Sequence, residues 1–407
     1  MPAARVVIVG GGLAAAKTAE ALRAGEFEGT ITIVGEEAHR PYERPPLSKG
    51  YLLGKADRDS VFVHPGEWYA EHDVDLRLGL PAVAVDPGAH VVTLADGDEI
   101  SYDRLLLATG SSPRLIDVPG AELNGVHYLR RLEDCDHLRE TFAVSSRVVI
   151  IGAGWIGLET AAAARAAGVA VTVLEAATLP LVRVLGPEVA EVFARLHRDH
   201  GVDLRFEVGV QALTGHDGQV TGVDLADGTH LEADAVVVGV GITPSVALAQ
   251  AAGLEVDNGI LVDESLRTSD PDIFAAGDVA NAWHPKLQRR IRVEHWANAL
   301  NQAAVAAEGL AGRSATYDRL PYFYSDQYDL GMEYVGYADP GEYDQVVFRG
   351  DVQAREFITF WLADGRVLAG MNVNVWDVTT PIRALIESRR VVDPRRLADP
   401  DVPLDDV

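Results

Sequence analysis

Two short runs carry residue types suited to one kind of chemistry. Gly10-Gly-Gly-Leu-Ala-Ala15 follows the apolar run Arg5-Val-Val-Ile-Val9, and Gly152-Ala-Gly-Trp-Ile-Gly157 follows Arg147-Val-Val-Ile-Ile151. A strand that turns through such a loop into a helix leaves free N–H groups at the helix start. A pyrophosphate can approach them only where no side chain intervenes, hence Gly10 and Gly12 in one copy and Gly152 and Gly154 in the other. The third motif position, Ala15 or Gly157, lets the helix lie close on its strand. A carboxylate at the end of the next strand then takes the ribose hydroxyls. Glu36 lies 24 residues beyond Gly12 and Glu175 lies 21 beyond Gly154, close to the ~20-residue spacing such sites use. Two dinucleotides are implied, and the chemically sensible pair is a nicotinamide hydride donor and a flavin acceptor. Glu175 suits a free 2′-hydroxyl and repels a 2′-phosphate. Ala176, Ala177 and Thr178 add no positive charge and Arg183 is the nearest base, so NADH is favoured over NADPH.

The elements that position these residues form a duplication. A helix is expected over Leu13–Ala24, closed by Gly25, and a strand over Thr30–Val34. The second copy predicts a small-residue helix to Ala167, stopped by Gly168, and a strand over Ala170–Leu174. The repeat continues. Leu94-Ala-Asp-Gly97 precedes Asp103, Leu105–Leu107 and Gly110; Leu225-Ala-Asp-Gly228 precedes Asp234, Val236–Val238 and Gly241. The offset is 131 at each point, and the first copy is 11 residues longer. The segment around Arg40-Pro-Tyr-Glu-Arg-Pro-Pro-Leu-Ser-Lys49 accounts for the excess. Beyond residue 319 the pattern changes to four expected strands, Asp329–Tyr337, Tyr343–Phe348, Arg355–Leu362 and Arg366–Val375, with a tight turn at Asp364-Gly365. Thr380-Pro381 then opens a short helix, and the acidic tail after Asp393 is expected to be loosely ordered. The fold class is therefore α/β, with two Rossmann-like dinucleotide-binding domains plus a C-terminal α+β domain.

Composition narrows the function. The 407-residue chain carries a formal net charge of −26, which disfavours nucleic acid or an anionic membrane as partner. A single cysteine, Cys135, can make neither a redox pair nor an iron–sulfur site, and no metal site is indicated. Met-Pro-Ala-Ala-Arg leads at once into a strand, which predicts no secretory signal, and no apolar stretch approaches the ~20 residues of a membrane span. The expectation is a soluble, cytoplasmic, mainly monomeric protein.

Five segments carry a family resemblance. Arg44-Pro-Pro-Leu-Ser-Lys49, Ala108-Thr-Gly110, Thr268-Ser-Asp-Pro-Asp-Ile-Phe-Ala-Ala-Gly-Asp278, Glu294-His-Trp296 and Pro321-Tyr-Phe-Tyr-Ser-Asp-Gln327 make the chain resemble the oxygenase-coupled, FAD-dependent NADH:ferredoxin reductases, with a glutathione-reductase-like fold. The resemblance covers essentially the whole chain. It implies an FAD domain at residues 1–110 and 242–319, an NAD domain at 111–241 and a C-terminal domain at 320–407. It implies that Asp278 bonds the flavin's ribityl chain and that Arg44, Pro45 and Lys49 face the FAD, with Lys49 near the isoalloxazine. Glu159 would point to the nicotinamide site and pair with Lys49, the two forming the catalytic set. Glu294, His295 and Trp296 would lie at the start of a helix over Ala297–Ala311 aimed at the flavin edge, where a helix N-terminus stabilises the anionic reduced ring. Ala108, Thr109, Gly110, Arg130, Ile156 and Gly241 complete the cofactor-binding set. Blander readings stand beside these: a solvated loop for Arg44 and Lys49, a surface glutamate for Glu159, a helix cap for Asp278, and core roles for Trp296 and His295.

Without its own sulfur relay or cluster, the protein must pass electrons to an external acceptor. The resemblance implies a small iron–sulfur ferredoxin serving a cytochrome P450 or an aromatic-ring dioxygenase. Such ferredoxins are usually acidic, so a basic patch would steer docking, with Arg289, Arg290, Arg292 and Arg313 as candidates. The family often has tryptophan at the position of Tyr324. A ferredoxin-independent NADH oxidase or quinone reductase, and an NADH-responsive flavoprotein similar to apoptosis-inducing factor, are the alternatives.

Overall fold

The computed structural model describes residues 4–407. The chain divides into two compact units. One takes residues up to Arg44, Asp57–Ser112 and Ile242–Arg319; the other takes Pro45–Ala56, Pro113–Gly241 and Leu320–Val407.

The first unit is built on a five-stranded parallel sheet in the order Ile273–Ala275, Arg104–Leu107, Arg5–Val9, Thr30–Gly35, Val74–Leu78. Its central strands are almost continuously apolar and buried, as a sheet covered on both faces requires. The helix Leu13–Ala24 packs on the helix Trp296–Leu310, where small buried residues, Ala15 and Ala19 on one and Ala303 and Ala306 on the other, keep the axes close. A three-stranded antiparallel sheet, Ala82–Asp86, Val91–Leu94 and Glu99–Ser101, turns at Asp96-Gly97, where Gly97 has φ +92°.

The second unit repeats that plan. Its parallel sheet runs Val126–Tyr128, Ala235–Val238, Arg147–Ile151, Ala170–Leu174, Asp203–Arg205, and its antiparallel sheet is Val210–His216, Gln219–Leu225 and His230–Glu232. The repeat extends to single bonds. Asp103 accepts from the Arg5 backbone N–H at 2.6 Å and Asp234 from the Arg147 N–H at 2.9 Å, so each carboxylate ties down the start of its first strand. The copies differ in one strand. The first sheet takes its fifth strand from Ile273–Ala275, far downstream; the second takes it from Val126–Tyr128, upstream of its own glycine loop.

The C-terminal part of the second unit departs from the sequence expectation in three places. Its antiparallel sheet has five strands, in the order Tyr322–Gln327, Leu330–Gly336, Arg366–Val373, Glu356–Ala363, Gln345–Asp351. Tyr322–Gln327, not expected as a strand, alternates buried and more open residues and pairs antiparallel with Leu330–Gly336. The helix spans Thr379–Ser388, which puts Pro381 at its third position rather than its first; proline fits anywhere in a first turn, whose N–H groups have no intrahelical acceptor. The tail is ordered. Leu397 and Leu404 are buried, and the Arg349 guanidinium donates to the carbonyls of Leu397, Asp399, Pro400 and Val402. One multidentate arginine thus satisfies carbonyls that the prolines leave outside any regular ladder.

Candidate dinucleotide and redox site

In the first unit the chain leaves Val9, turns at Gly10 and starts the helix at Leu13. Gly10 has φ +125°, and a Cβ there would lie 2.1 Å from the Ala108 carbonyl oxygen, so this glycine is required by the protein itself. Gly12 is different. Its φ of −100° suits any residue, a Cβ there would meet nothing within 4 Å, and no side chain caps the helix. Neither backbone nor packing demands glycine at 12, and the helix start it leaves open is what the close approach of a pyrophosphate would need. Glu36 stands exposed at the end of its strand. Its neighbour Glu37, which motif spacing does not single out, accepts from Arg44 Nη2 at 3.1 Å and from the Tyr42 hydroxyl at 2.5 Å. These partners, with Asp278 nearby, raise the Arg44 pKa against the cost of burial.

Asp278 is placed by two contacts. Gly277, at φ +82°, donates its N–H to Gln302 on the helix Trp296–Leu310 at 2.8 Å, and Ser111 donates to Asp278 Oδ2 at 2.8 Å. Ala108, Thr109 and Gly110 follow the strand Arg104–Leu107, and Thr109 Oγ1 donates to the Ser245 carbonyl at 2.8 Å. His295 is the N-cap of the helix beginning at Trp296, and burial pushes its imidazole down to about 4, so it is neutral at pH 7. Glu294 pairs with Arg292.

The second unit repeats the cradle. Gly152 has φ +102° and its Cβ would strike the Gly239 carbonyl at 2.4 Å; a Cβ at Gly157 would strike the Gly152 carbonyl at 2.0 Å; Gly154 has an open face, its nearest neighbour 4.0 Å away. Glu175 accepts from the backbone N–H groups of Ala153 and Ala177, each at 2.8 Å, which fixes its carboxylate beside the loop. Ile156 is an exposed apolar residue in the helix Trp155–Ala166, and Arg183 is exposed near the start of the helix Val182–Asp199. Arg130 stands before the helix Leu132–Val144, its N–H on Asp134 at 2.9 Å. Gly241 has φ +104° and its carbonyl accepts from Arg114 at 2.9 Å. The residues of both cradles therefore fit dinucleotides.

Glu159, on the same helix as Gly157, is held from three sides. Its side chain is 3% exposed and pairs with Lys49 at 2.7 Å. Ser48 donates to Oε2 at 2.5 Å and Ser325 to Oε1 at 2.7 Å. Pro45–Ser48 forms a 3-10 turn that delivers Ser48 and Lys49 together, and the strand Tyr322–Gln327 delivers Ser325. Lys49 Nζ also lies 5.4 Å from the Tyr324 ring centre, and burial raises the Asp326 pKa although Lys49 opposes it. Both serines fall inside the motifs quoted above, yet nothing in those motifs gives them a role. Only the unexpected strand brings Ser325 to Glu159.

Whole-chain comparisons agree with this geometry. The family model of pyridine nucleotide-disulphide oxidoreductases matches residues 4–303, and a reductase C-terminal model matches 322–407. The chain belongs to the pyridine nucleotide-disulphide oxidoreductase family. It is 41% identical to rhodocoxin reductase of Rhodococcus erythropolis, covering 98% of this chain and 93% of the relative. It is 42% identical to the ferredoxin–NAD(+) reductase component of the anthranilate 1,2-dioxygenase system of Burkholderia cepacia, covering 99% of each. The reductase in a crystal structure of a covalent putidaredoxin reductase–putidaredoxin complex superimposes with a TM-score of 0.94 at 39% identity, over 100% of this chain and 98% of that one.

This pyridine nucleotide-disulphide oxidoreductase has no cysteine pair in its sequence. Cys135 is buried in the helix Leu132–Val144, and burial pushes its thiol up to about 12, so it is protonated and unreactive at neutral pH. Among the described residues no helix is long and apolar enough to cross a membrane, and no cluster of three or more His, Cys, Asp or Glu could hold a metal. The four arginines that could steer docking are engaged. Arg290 donates to the Val262 and Asn281 carbonyls, Arg292 pairs with Glu294, Arg313 pairs with Glu308, and Arg289 lies on a strand edge pairing with His284.

Proposed function

We propose that this protein is an NADH-dependent ferredoxin reductase feeding a cytochrome P450 or an aromatic-ring dioxygenase. The observation that carries this is the pair of glycine cradles in a chain with one buried thiol, a chain that aligns over 99% of its length with ferredoxin reductase components of dioxygenase systems. When bound, FAD would take a hydride from NADH and release electrons one at a time to a small iron–sulfur ferredoxin.

The chain's residues divide the remaining work. Residues 1–110 and 242–319 hold FAD. Gly10 and Gly12 open the helix N-terminus to its pyrophosphate, Ala15 seats the helix, Glu36 takes a ribose, Arg44 with Pro45 and Asp278 orient the rest, and the start of the helix at Trp296 favours the reduced ring. Residues 111–241 hold NADH, with Gly152, Gly154 and Gly157 at the pyrophosphate and Glu175 selecting the unphosphorylated ribose. Lys49 and Glu159 act where the nicotinamide must be positioned, since hydride transfer depends on placement more than on acid–base help. Arg289 and Arg290 supply local positive potential for an acidic ferredoxin, whereas Arg292 and Arg313 spend their charge on Glu294 and Glu308, within a cytoplasmic, mainly monomeric protein. The test is anaerobic bleaching of the FAD-loaded protein by NADH, followed by turnover with and without a [2Fe–2S] ferredoxin. At least tenfold stimulation by ferredoxin, with slow oxygen uptake in its absence, is expected. Equally fast oxygen or quinone reduction without ferredoxin would overturn the proposal in favour of an oxidase or quinone reductase.

A further inference from the structure

A continuous line of hydrogen bonds runs inward to Glu159 from side chains that the cofactor chemistry does not use. Ser325 Oγ lies 2.7 Å from Glu159 Oε1; Gln327 Nε2 lies 3.1 Å from Ser325 Oγ; His197 Nε2 lies 2.8 Å from Gln327 Oε1; the Tyr328 hydroxyl lies 3.4 Å from His197 Nδ1. Ser325, Gln327 and His197 are almost wholly buried, at 1%, 1% and 0% exposure. Tyr328 closes the line, stacked on His200 at 3.8 Å.

The direction of every proton follows from the inner end. Glu159, paired with Lys49, is a carboxylate and can only accept. Ser325 therefore commits its hydroxyl proton to Glu159 and must accept from Gln327. That turns the amide nitrogen of Gln327 toward Ser325 and its oxygen toward His197. His197 must then carry its proton on Nε2, which leaves Nδ1 as acceptor for Tyr328. The imidazole can do both only while neutral, and burial lowers its pKa to about 4. The amide in the middle cannot release a proton and take another without leaving its stable form, so the line is no proton relay. Its four donors all point the same way, at one buried anion, and such aligned bonds reinforce one another.

We propose that Tyr328, His197, Gln327 and Ser325 form a one-way donor array that fixes the Glu159 carboxylate, and through it the Lys49 ammonium, in the geometry hydride transfer needs. His197 and Gln327 are thus positioning residues that act at second hand. The inference rests on the role given above to Lys49 and Glu159.

The experiment has two arms. In the FAD-loaded protein labelled with 15N-histidine, the buried His197 ring is expected as the Nε2–H tautomer at pH 7. An Nδ1–H tautomer, or a doubly protonated ring, would reverse or break the array and overturn the proposal. In stopped-flow reduction by NADH, Ser325→Ala and His197→Leu are expected to slow bleaching roughly tenfold, the equivalent of one good hydrogen bond, with little change in the NADH concentration that half-saturates it. Ser325→Thr keeps the hydroxyl, and His197→Gln places an amide N–H where Nε2–H stood, so both should recover most of the rate. Rates for Ser325→Ala and His197→Leu matching the wild type, or no difference between the conservative and the disruptive variants, would overturn the array. Glu159→Gln separates the two levels: if it also reduces at the wild-type rate, the role of Glu159 fails; if it is slow while Ser325→Ala and His197→Leu are fast, the array alone fails.

Discussion

Replacing Lys49 with methionine removes the charge that faces Glu159 and keeps most of the side-chain volume. The carboxylate, 3% exposed, is left with two serine hydroxyls and no cation. Breaking a buried pair by deleting one partner costs ~3–5 kcal/mol. Lys49 is 16% exposed, so water reaches its side of the pair and the lower end, about 3 kcal/mol, applies. The compact unit that holds the pair comprises roughly 230 residues and would melt with an entropy near 0.5 kcal/mol/K, so the loss corresponds to a midpoint drop of about 6 °C. Lys49→Met/Glu159→Gln leaves a neutral amide that both serines can still bond, and should recover most of that drop. The assay is thermal unfolding followed by far-UV circular dichroism, at fixed pH and fixed excess FAD, since bound cofactor raises the midpoint by mass action. A Lys49→Met midpoint within about 1–2 °C of wild type would refute the energetic argument. So would a double variant less stable than the single one, because the carboxylate would then not be the source of the loss.

Two further outcomes follow from the same geometry. Glu175→Ala removes the carboxylate held by the Ala153 and Ala177 N–H groups, and the ratio of kcat/KM for NADH over NADPH should fall at least tenfold in dye-reduction assays; an unchanged ratio would show that another residue reads the ribose. His197 has a folded-state pKa of about 4, below the usual 6.5, so the unfolded chain binds the extra proton between those values and stability is lost as pH falls through that window. Urea midpoints measured between pH 7 and 4.5 should decline less steeply for His197→Gln than for wild type, and parallel slopes would exclude His197 as a source.

Much of the fold and of the two cradles is legible in the sequence because the informative residues are local. Gly10, Gly152 and the acids two dozen residues on announce their geometry by spacing alone, and Asp103 and Asp234 mark the repeat through their constant offset. The hydrophobic run Arg5–Val9 could only be a buried parallel strand beside such a loop. Other features depend on distant chain. Tyr322–Gln327 mixes aromatic and polar residues with no clean apolar alternation, and becomes a strand because Leu330–Gly336 is there to pair with it. The tail reads as too acidic and proline-rich to order, yet Arg349 supplies the donors that its carbonyls need. Ser48, the strand that carries Ser325 and Gln327, and the helix that carries His197 come together around Glu159 from three separate stretches of chain, a convergence that no local pattern encodes.

The different origin of the fifth strand in the two sheets dictates an order of events during synthesis. The later copy is written without interruption from Val126 to Val238, so its sheet can be completed as soon as that stretch has left the ribosome. The earlier copy begins at Arg5 but lacks an edge until Ile273–Ala275 emerges. From Leu107 to Ala275, at ~5–20 residues per second, that is a wait of roughly 8 to 34 s. The first glycine loop to be translated therefore belongs to the last of the two sheets to close, and during that interval the nascent chain carries an unfinished strand edge at Arg104–Leu107, exposed to chaperones and to wrong partners.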